Sequence, residues 1–230
     1  MRILALDTAT QACSTALLTA EMAITRELLT ERGHAAHILS MVDAVLAQAG
    51  IGLEEVSALA FGRGPGAFTG VRLAASVAQG LAFAAQLPVV PVSDLSALAQ
   101  RAFDQDTRLD HVLVCHDARM QEVYWACFDR GADDGLATRV GAEHVSAVGG
   151  IELPGTWRGC IGGAGQGFRV YPELKIGLKA SLASVQEELL PRALDIARLA
   201  WPAALAGRTL GAHEALPVYV RDDVIRTSRN

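Results

Sequence analysis

Three apolar segments follow one another at the start of the chain, and together they restrict its fold more than any other feature. RILALDTAT reads as a buried strand that ends in a polar turn, and residues 12–19 and 22–29 read as two further strands. The apolar period then changes from two to about 3.6. From His34 to Ala49 the residues Ile38, Val42, Val45 and Ala49 form one stripe, joined by Leu39 and Leu46, and Gly50 stands where glycine commonly ends a helix. VSALAFG (56–62) is the next strand. A helix from about Gly70 to Gln86 follows, with Thr69 as its expected N-cap and Pro88 as its stop. VVPV is a short strand, and Ser93 caps a third helix that runs to about Phe103.

The polar stretch DQDTRLD marks a boundary, after which the pattern restarts. HVLVCHDA (111–118) and MQEVYWACF (120–128) read as a hairpin, and GADDG as a turn. Residues 131–185 are glycine-rich and carry no clear period, although CIGGAGQGF suggests strand, turn and helix start. Pro191 opens a last helix to about Gly207, and LPVYV closes the chain as a short strand or extended tail. Strands, helix, strand, helix, and then a second set that restarts with strands, argue for an α/β protein of two related lobes. The lobes are expected at 1–103 and 104–230. The final helix, about 191–207, is counted with the second lobe but is free to pack back on the first.

Charge and cysteine content narrow the function classes. The formal net charge is −5 with no basic run, which disfavours tight RNA binding by this chain unaided. No apolar run reaches the ~20 residues of a membrane span. The first residues read as a strand interrupted by Asp7 and not as a signal peptide. Cys13, Cys115, Cys127 and Cys160 form no CxxC motif and read as reduced core residues of a cytosolic protein.

The stretch GRGPGAFTGVR (62–72) joins a strand to a helix. The first amides of a helix lack carbonyl partners and carry positive potential, so an anion site is physically open here. Gly64, Gly66, Thr69, Gly70 and Arg72 are the candidate residues. The loop is neither a Walker A sequence nor the dinucleotide fingerprint, since it lacks GK[ST] and its spacing is GxGxxxG. The competing reading is a tight turn in which the glycines let the helix sit close to the sheet. GGAGQG (162–167) admits the same two readings.

The helix after the loop is apolar or small almost all round, so it should be covered on more than one side. Ala74, Ala75, Ala78, Ala82 and Ala85 would allow a partner helix to approach. On the 34–49 helix, His37, Met41, Ala44 and Gln48 form a weakly apolar second face. These nine residues are the expected partner interface.

No residue set makes a self-sufficient catalytic or metal site. His34 and His37 lie one turn apart, but HxxH lacks a third ligand and the glutamate of HExxH. Asp7, with Thr8 and Thr10, ends the first strand where a carboxylate could contact a metal-bound phosphate; a turn carboxylate bonded to local amides is the alternative. His116 and Asp117 are adjacent on a strand and should point to opposite faces, which argues against a dyad.

Several segments taken together resemble one family. ILALDTAT with CSTALL, GPGAFTGVRLAASVAQGLA, PVSDLSALA, DARMQEVYWACF and LPVYVRDDV are similar to the bacterial TsaB proteins of tRNA threonylcarbamoyladenosine biosynthesis, also described as peptidase M22-like or glycoprotease-like. The match covers most of the chain and is weakest across 131–185. The resemblance implies an acetate kinase/Hsp70/actin-like (ribonuclease H-like) fold of two duplicated lobes. It also implies a cytoplasmic, non-catalytic subunit without a cofactor. The implied partner is TsaD, which carries the metal and transfers a threonylcarbamoyl group to the adenosine beside the tRNA anticodon. An ATPase, TsaE, completes the assembly, a homodimer forms when the chain is alone, and tRNA is met only through the complex. In the family the first two helices pair with those of TsaD or of a second copy. Two departures agree with an inert role. The relative's HxxxH is here His34 followed by His37, with Ile at 38, and the superfamily's phosphate-loop glycine is here Ala9. The rival readings are a metallopeptidase or ATPase of the same fold, and a self-sufficient homodimeric binding module.

Overall fold

A computed structural model describes residues 1–178 and 181–221. The first half opens with strands β1 (Ile3–Asp7), β2 (Ala12–Leu18) and β3 (Ala23–Leu29). Helix α1 (His34–Ala49), β4 (Ala58–Gly62), helix α2 (Phe68–Ala85), β5 (Val89–Val92) and helix α3 (Asp94–Gln105) follow. Its sheet has the order β3-β2-β1-β4-β5, antiparallel on the β2 side of β1 and parallel on the β4 side.

The second half repeats that topology. Strands β6 (His111–Asp117), β7 (Glu122–Arg130), β8 (Ala137–Ala147), β9 (Ile161–Ala164) and β10 (Ser184–Gln186) pair in the order β10-β9-β6-β7-β8. Here too the first strand is antiparallel to its hairpin partner and parallel to the strand that follows the crossover. Two sheets of one design, with helices on their faces, give the actin-like α/β fold of two duplicated lobes. The long strand β8 falls in the stretch where the sequence shows no period.

Alternation along the central strands decides what each face covers. In β1, Leu4 and Leu6 meet α1 and α2, in a core that includes Ile38, Val42, Val45, Ala74 and Ala78. Ile3 and Ala5 face the other way, against helix α6 (Ala193–Leu205) through Ala193, Ile196, Ala197 and Ala200. In β6, Val112 and Val114 face α3 through Leu95, Leu98 and Ala102. Leu113 and Cys115 face the side of the short helices α4 (Gly167–Val170) and α5 (Glu173–Leu178), with Phe168, Leu174 and Trp157. The middle helices are therefore exchanged. Helix α3 follows the first sheet in sequence but packs on the second, whereas α6 comes last and packs on the first, and the two touch each other.

Local details correct several expectations. Helix α2 begins at Phe68 after an extended Ala67 with no side-chain cap, so Thr69 lies inside the first turn. Leu39 is 51% exposed and does not belong to the buried stripe of α1. Ala74, Ala78 and Ala82 are fully buried, and Ala75 nearly so, in their own lobe's core, against which Ala85 is half-buried. These five alanines face the chain's own sheet, because the loop before α2 sets the helix with its small face toward β4. The open face carries Phe68, Ser76, Gly80 and Phe83, with Leu73 and Val77 half-buried. On α1, His37 and Gln48 are exposed and Met41 and Ala44 are half-buried. Helix α2 is long and apolar enough by composition to cross a membrane, but its alanine face is packed in the core. Of LPVYVRDDV, Leu216–Arg221 forms no strand and bends at Val220, and Asp222 to Val224 lie outside the described residues.

Candidate functional site

The two lobes face each other across a cleft of about 1050 Å³. Its first wall is built by the β1–β2 turn, the N-terminus of α1 and the glycine loop before α2; its second by the end of β6 and the turn after it, Tyr124 of β7, and Gln166, Arg169 and Val170. Residues Val218–Arg221 run along its mouth.

The walls are related by the duplication. In the first, Asp7 ends β1 and its Oδ1 accepts the Ala9 N–H at 2.8 Å. In the second, Asp117 ends β6 and its Oδ1 accepts the Arg119 N–H at 2.8 Å. A glycine-rich turn lies against each strand end. A Cβ on Gly66 would stand 2.6 Å from the Ala9 carbonyl oxygen, and one on Gly70 would stand 2.0 Å from that of Thr8. Across the cleft, a Cβ on Gly165 or Gly167 would stand 2.5 or 2.8 Å from the Cys115 carbonyl oxygen. Only residues without a side chain permit this approach. The glycines therefore hold backbone against backbone in both lobes.

Two of the loop's amides are engaged within the chain. The Ala67 N–H donates to the Ala9 carbonyl at 2.8 Å, and the Gly64 N–H to Asp94 Oδ2 at 2.5 Å. Gly64 has φ +98°, and its peptide to Pro65 is cis. Thr69 is exposed in the first turn of α2. The Arg72 guanidinium does not turn into the loop: it lies 3.2 Å over the Phe68 ring centroid and 4.9 Å from that of Tyr219, a cation–π stack at the cleft mouth. The Arg63 guanidinium also leaves the loop. It bonds both carboxylate oxygens of Glu143 on β8 at 3.1 Å, a largely buried bridge from one lobe to the other.

The remaining titratable residues have structural partners or none. His34 Nε2 donates to the Thr10 carbonyl at 2.9 Å, which ties α1 to the β1–β2 turn, while His37 faces solvent. Among the described residues no three His, Cys, Asp or Glu side chains converge as metal ligands would. Asp117 also accepts the Tyr171 hydroxyl, 2.9 Å away. His116 lines the cleft with Nδ1 buried and without a partner, and burial pushes its pKa down to about 4. Burial likewise raises the thiols of Cys115 and Cys127, so neither is a ready nucleophile.

Sequence reading overlooked Asp94. It is the first residue of α3, is only 2% exposed, and reaches back to the glycine loop and to Asp7. An acidic residue in a first helical turn ordinarily signals dipole compensation, and that signal conceals a long-range contact.

Known proteins resemble this chain along nearly its whole length. The family model described as "TsaD: tRNA N6-adenosine threonylcarbamoyltransferase" matches residues 26–155. A Haemophilus influenzae protein called tRNA threonylcarbamoyladenosine biosynthesis protein TsaB is 38% identical over 97% of this chain and 95% of the relative. The Escherichia coli protein of that description is 39% identical, over 97% and 96%. A solved structure of YeaZ from Pseudomonas aeruginosa superposes with a TM-score of 0.84 at 42% identity, covering 95% of this chain and 99% of the other. The Acidaminococcus fermentans (R)-2-hydroxyglutaryl-CoA dehydratase component A, 12% identical with a TM-score of 0.51, shares the fold alone. Full-length relatives, a matching structure, and two mirrored strand-end and glycine-turn walls agree: the chain belongs to the TsaB family.

Proposed function

We propose that this chain serves tRNA threonylcarbamoyladenosine biosynthesis as a non-catalytic scaffold subunit that pairs with the catalytic TsaD protein. The observation that carries the reading is the near-complete alignment with proteins named for that pathway. Two features of the molecule support the inert role. The glycine loop gives two of its amides, those of Ala67 and Gly64, to Ala9 and Asp94, and His34 gives Nε2 to Thr10.

The pairing surface is the open face of α2 beside α1. Phe83 is 81% exposed there, and a Cβ on Gly80 would meet no atom within 4 Å, so a second helix has room to approach. The same face closes a homodimer when TsaD is absent. TsaE joins the complex, tRNA is met through TsaD, and the assembly works in the cytoplasm.

The test is reconstitution. TsaD and TsaE of the same organism, tRNA, ATP and a preformed activated donor, threonylcarbamoyl adenylate (whose AMP leaves on transfer), are incubated with and without this chain, and modified nucleoside is measured by mass spectrometry. The expected result is product only in its presence, with loss of both product and TsaD co-purification in Phe83→Asp. Product of equal yield without the chain, or product from the chain without TsaD, overturns the proposal.

A further inference from the structure

Two buried carboxyls converge beneath the glycine loop, on elements far apart in sequence. Asp7 closes β1 and is fully buried, and Asp94 opens α3. A Cβ on Gly62 would stand 2.7 Å from Asp7 Oδ1 and 2.4 Å from Asp94 Oδ1, so the two side chains meet over that glycine. One oxygen of each is accounted for by a backbone donor, Ala9 N–H for Asp7 and Gly64 N–H for Asp94. Asp7 Oδ2 and Asp94 Oδ1 are buried and have no hydrogen-bond donor. Two facing carboxylates in an interior cannot both be ionised without large cost. One proton held between them satisfies both leftover oxygens.

Asp94 also grips the loop from two sides. Its Oδ2 accepts the Gly64 N–H, and its own N–H donates to the Gly64 carbonyl at 3.1 Å. Next door, the Arg63 carbonyl accepts the Val218 N–H at 2.8 Å, which attaches the segment at the cleft mouth to the residue before Gly64.

We propose that Asp7 and Asp94 share one proton as a pH-dependent clamp: with the proton in place the loop is held to α3, and its departure releases residues 63–70 and the first turn of α2. The proton passes to solvent base, leaving two carboxylates that repel. The titratable and charged groups facing the pair are Cys13 from β2 and Arg63 from the loop. The Cys13 thiol is pushed up to about 11 by its burial and by Asp7, so it stays neutral. Arg63 favours ionised Asp94, but Glu143 holds its guanidinium. Burial raises Asp7 to about 6 and Asp94 well above the usual carboxylate range, so the pair resists ionisation of both members. Both folded values lie above the unfolded one. The pair therefore favours the folded state most at low pH, and that contribution is lost as pH rises through the folded values.

The test is hydrogen exchange of peptides spanning 60–72 in the whole chain, at pH 6, 7.5 and 9, after correction for intrinsic base catalysis. Protection in the wild type is expected to fall by up to about tenfold for each pH unit below the clamp's own titration and to level off above it, as the linkage of a single proton requires. Asp94→Asn supplies a permanent N–H to Asp7 and a carbonyl to Gly64, so its protection should stay level. An equal fall in both proteins, or none in either, overturns the proposal. Carboxyl ¹³C titration of the wild type decides independently of whether the variant folds. A midpoint above pH 7 for Asp94 supports the clamp, and midpoints below pH 5 for both residues overturn it.

Discussion

Ala78→Arg separates a helix face that packs inward from one that meets a partner. Ala78 is fully buried in the core that includes Leu4, Leu59 and Val89. An unpaired charge there costs about 3–5 kcal/mol, and forcing extra atoms into a packed core costs roughly a further 1–3 kcal/mol. The sum, about 4–8 kcal/mol, is comparable with the ~5–15 kcal/mol that holds a typical native protein together. For a chain of 230 residues each kcal/mol moves the melting temperature by about 2–4 °C, so a fall on the order of 10–30 °C is expected. Gly80→Arg, two residues on and nearly opposite on the helix, should do the reverse. Its new side chain enters open space, and removing an interior helical glycine contributes about 1 kcal/mol. That variant should melt at or slightly above the wild-type temperature yet fail to co-purify with TsaD. Thermal melts by circular dichroism and pull-down yields measure both. An Ala78→Arg protein that melts within a few degrees of wild type would refute the inward assignment. A stable Gly80→Arg protein that binds TsaD normally would refute the outward one.

Gly70→Ala brings a Cβ within 2.0 Å of the Thr8 carbonyl oxygen, and backbone cannot yield as a side-chain end does. A loss of about 1–3 kcal/mol should show as a lower urea midpoint, and an unchanged midpoint counts against the close approach. Glu143→Ala leaves the Arg63 guanidinium nearly buried without its carboxylate, and about 3–5 kcal/mol should be lost, again by urea denaturation, with Glu143→Gln intermediate. His116 has a folded pKa of about 4 against an unfolded value near 6.5, so the unfolded chain takes up the proton first. Stability should decline as pH falls from about 6.5 toward 4, and His116→Gln should flatten that decline; parallel profiles would contradict it.

The first half of the chain was legible because its periods are strict and its ends are marked. Helix α1 runs from His34 to Ala49 as expected, since Gly50 takes the left-handed conformation, φ +68°, that ends it. Helix α2 was legible as a helix but not in its orientation. Ala74 and Ala78 look no different in sequence from Ala84, which is exposed, and only the exit angle of the glycine loop determines which side meets the sheet. In the second half, β8 has no fully buried residue and mixes exposed with half-buried positions, so ATRVGAEHVSA shows no clean alternation. Strand β10 is three residues long and carries no period at all. Of the loop residues named from the motif, Gly66, Thr69 and Gly70 line the cleft, but their engagements were not readable. That His34 bonds Thr10, that Arg63 bonds Glu143 and that Asp94 meets Asp7 all depend on contacts between distant segments.

The exchange of α3 and α6 has a consequence for the order in which the chain can mature during synthesis. The face of the first sheet formed by Ile3, Ala5, Ala16, Ala60 and Val90 is complete in sequence by β5, yet its cover, α6, is about a hundred residues further on. At ~5–20 residues per second, that apolar face emerges from the ribosome roughly 5–20 s before the helix that closes it. Neither half reaches its native packing ahead of the other, because the last helix made seals the first sheet made. A nascent chain stalled between β5 and α6 is thus the stage most exposed to wrong partners. A ribosome-bound series of increasing length should gain protease resistance in one late step, when α6 clears the exit tunnel.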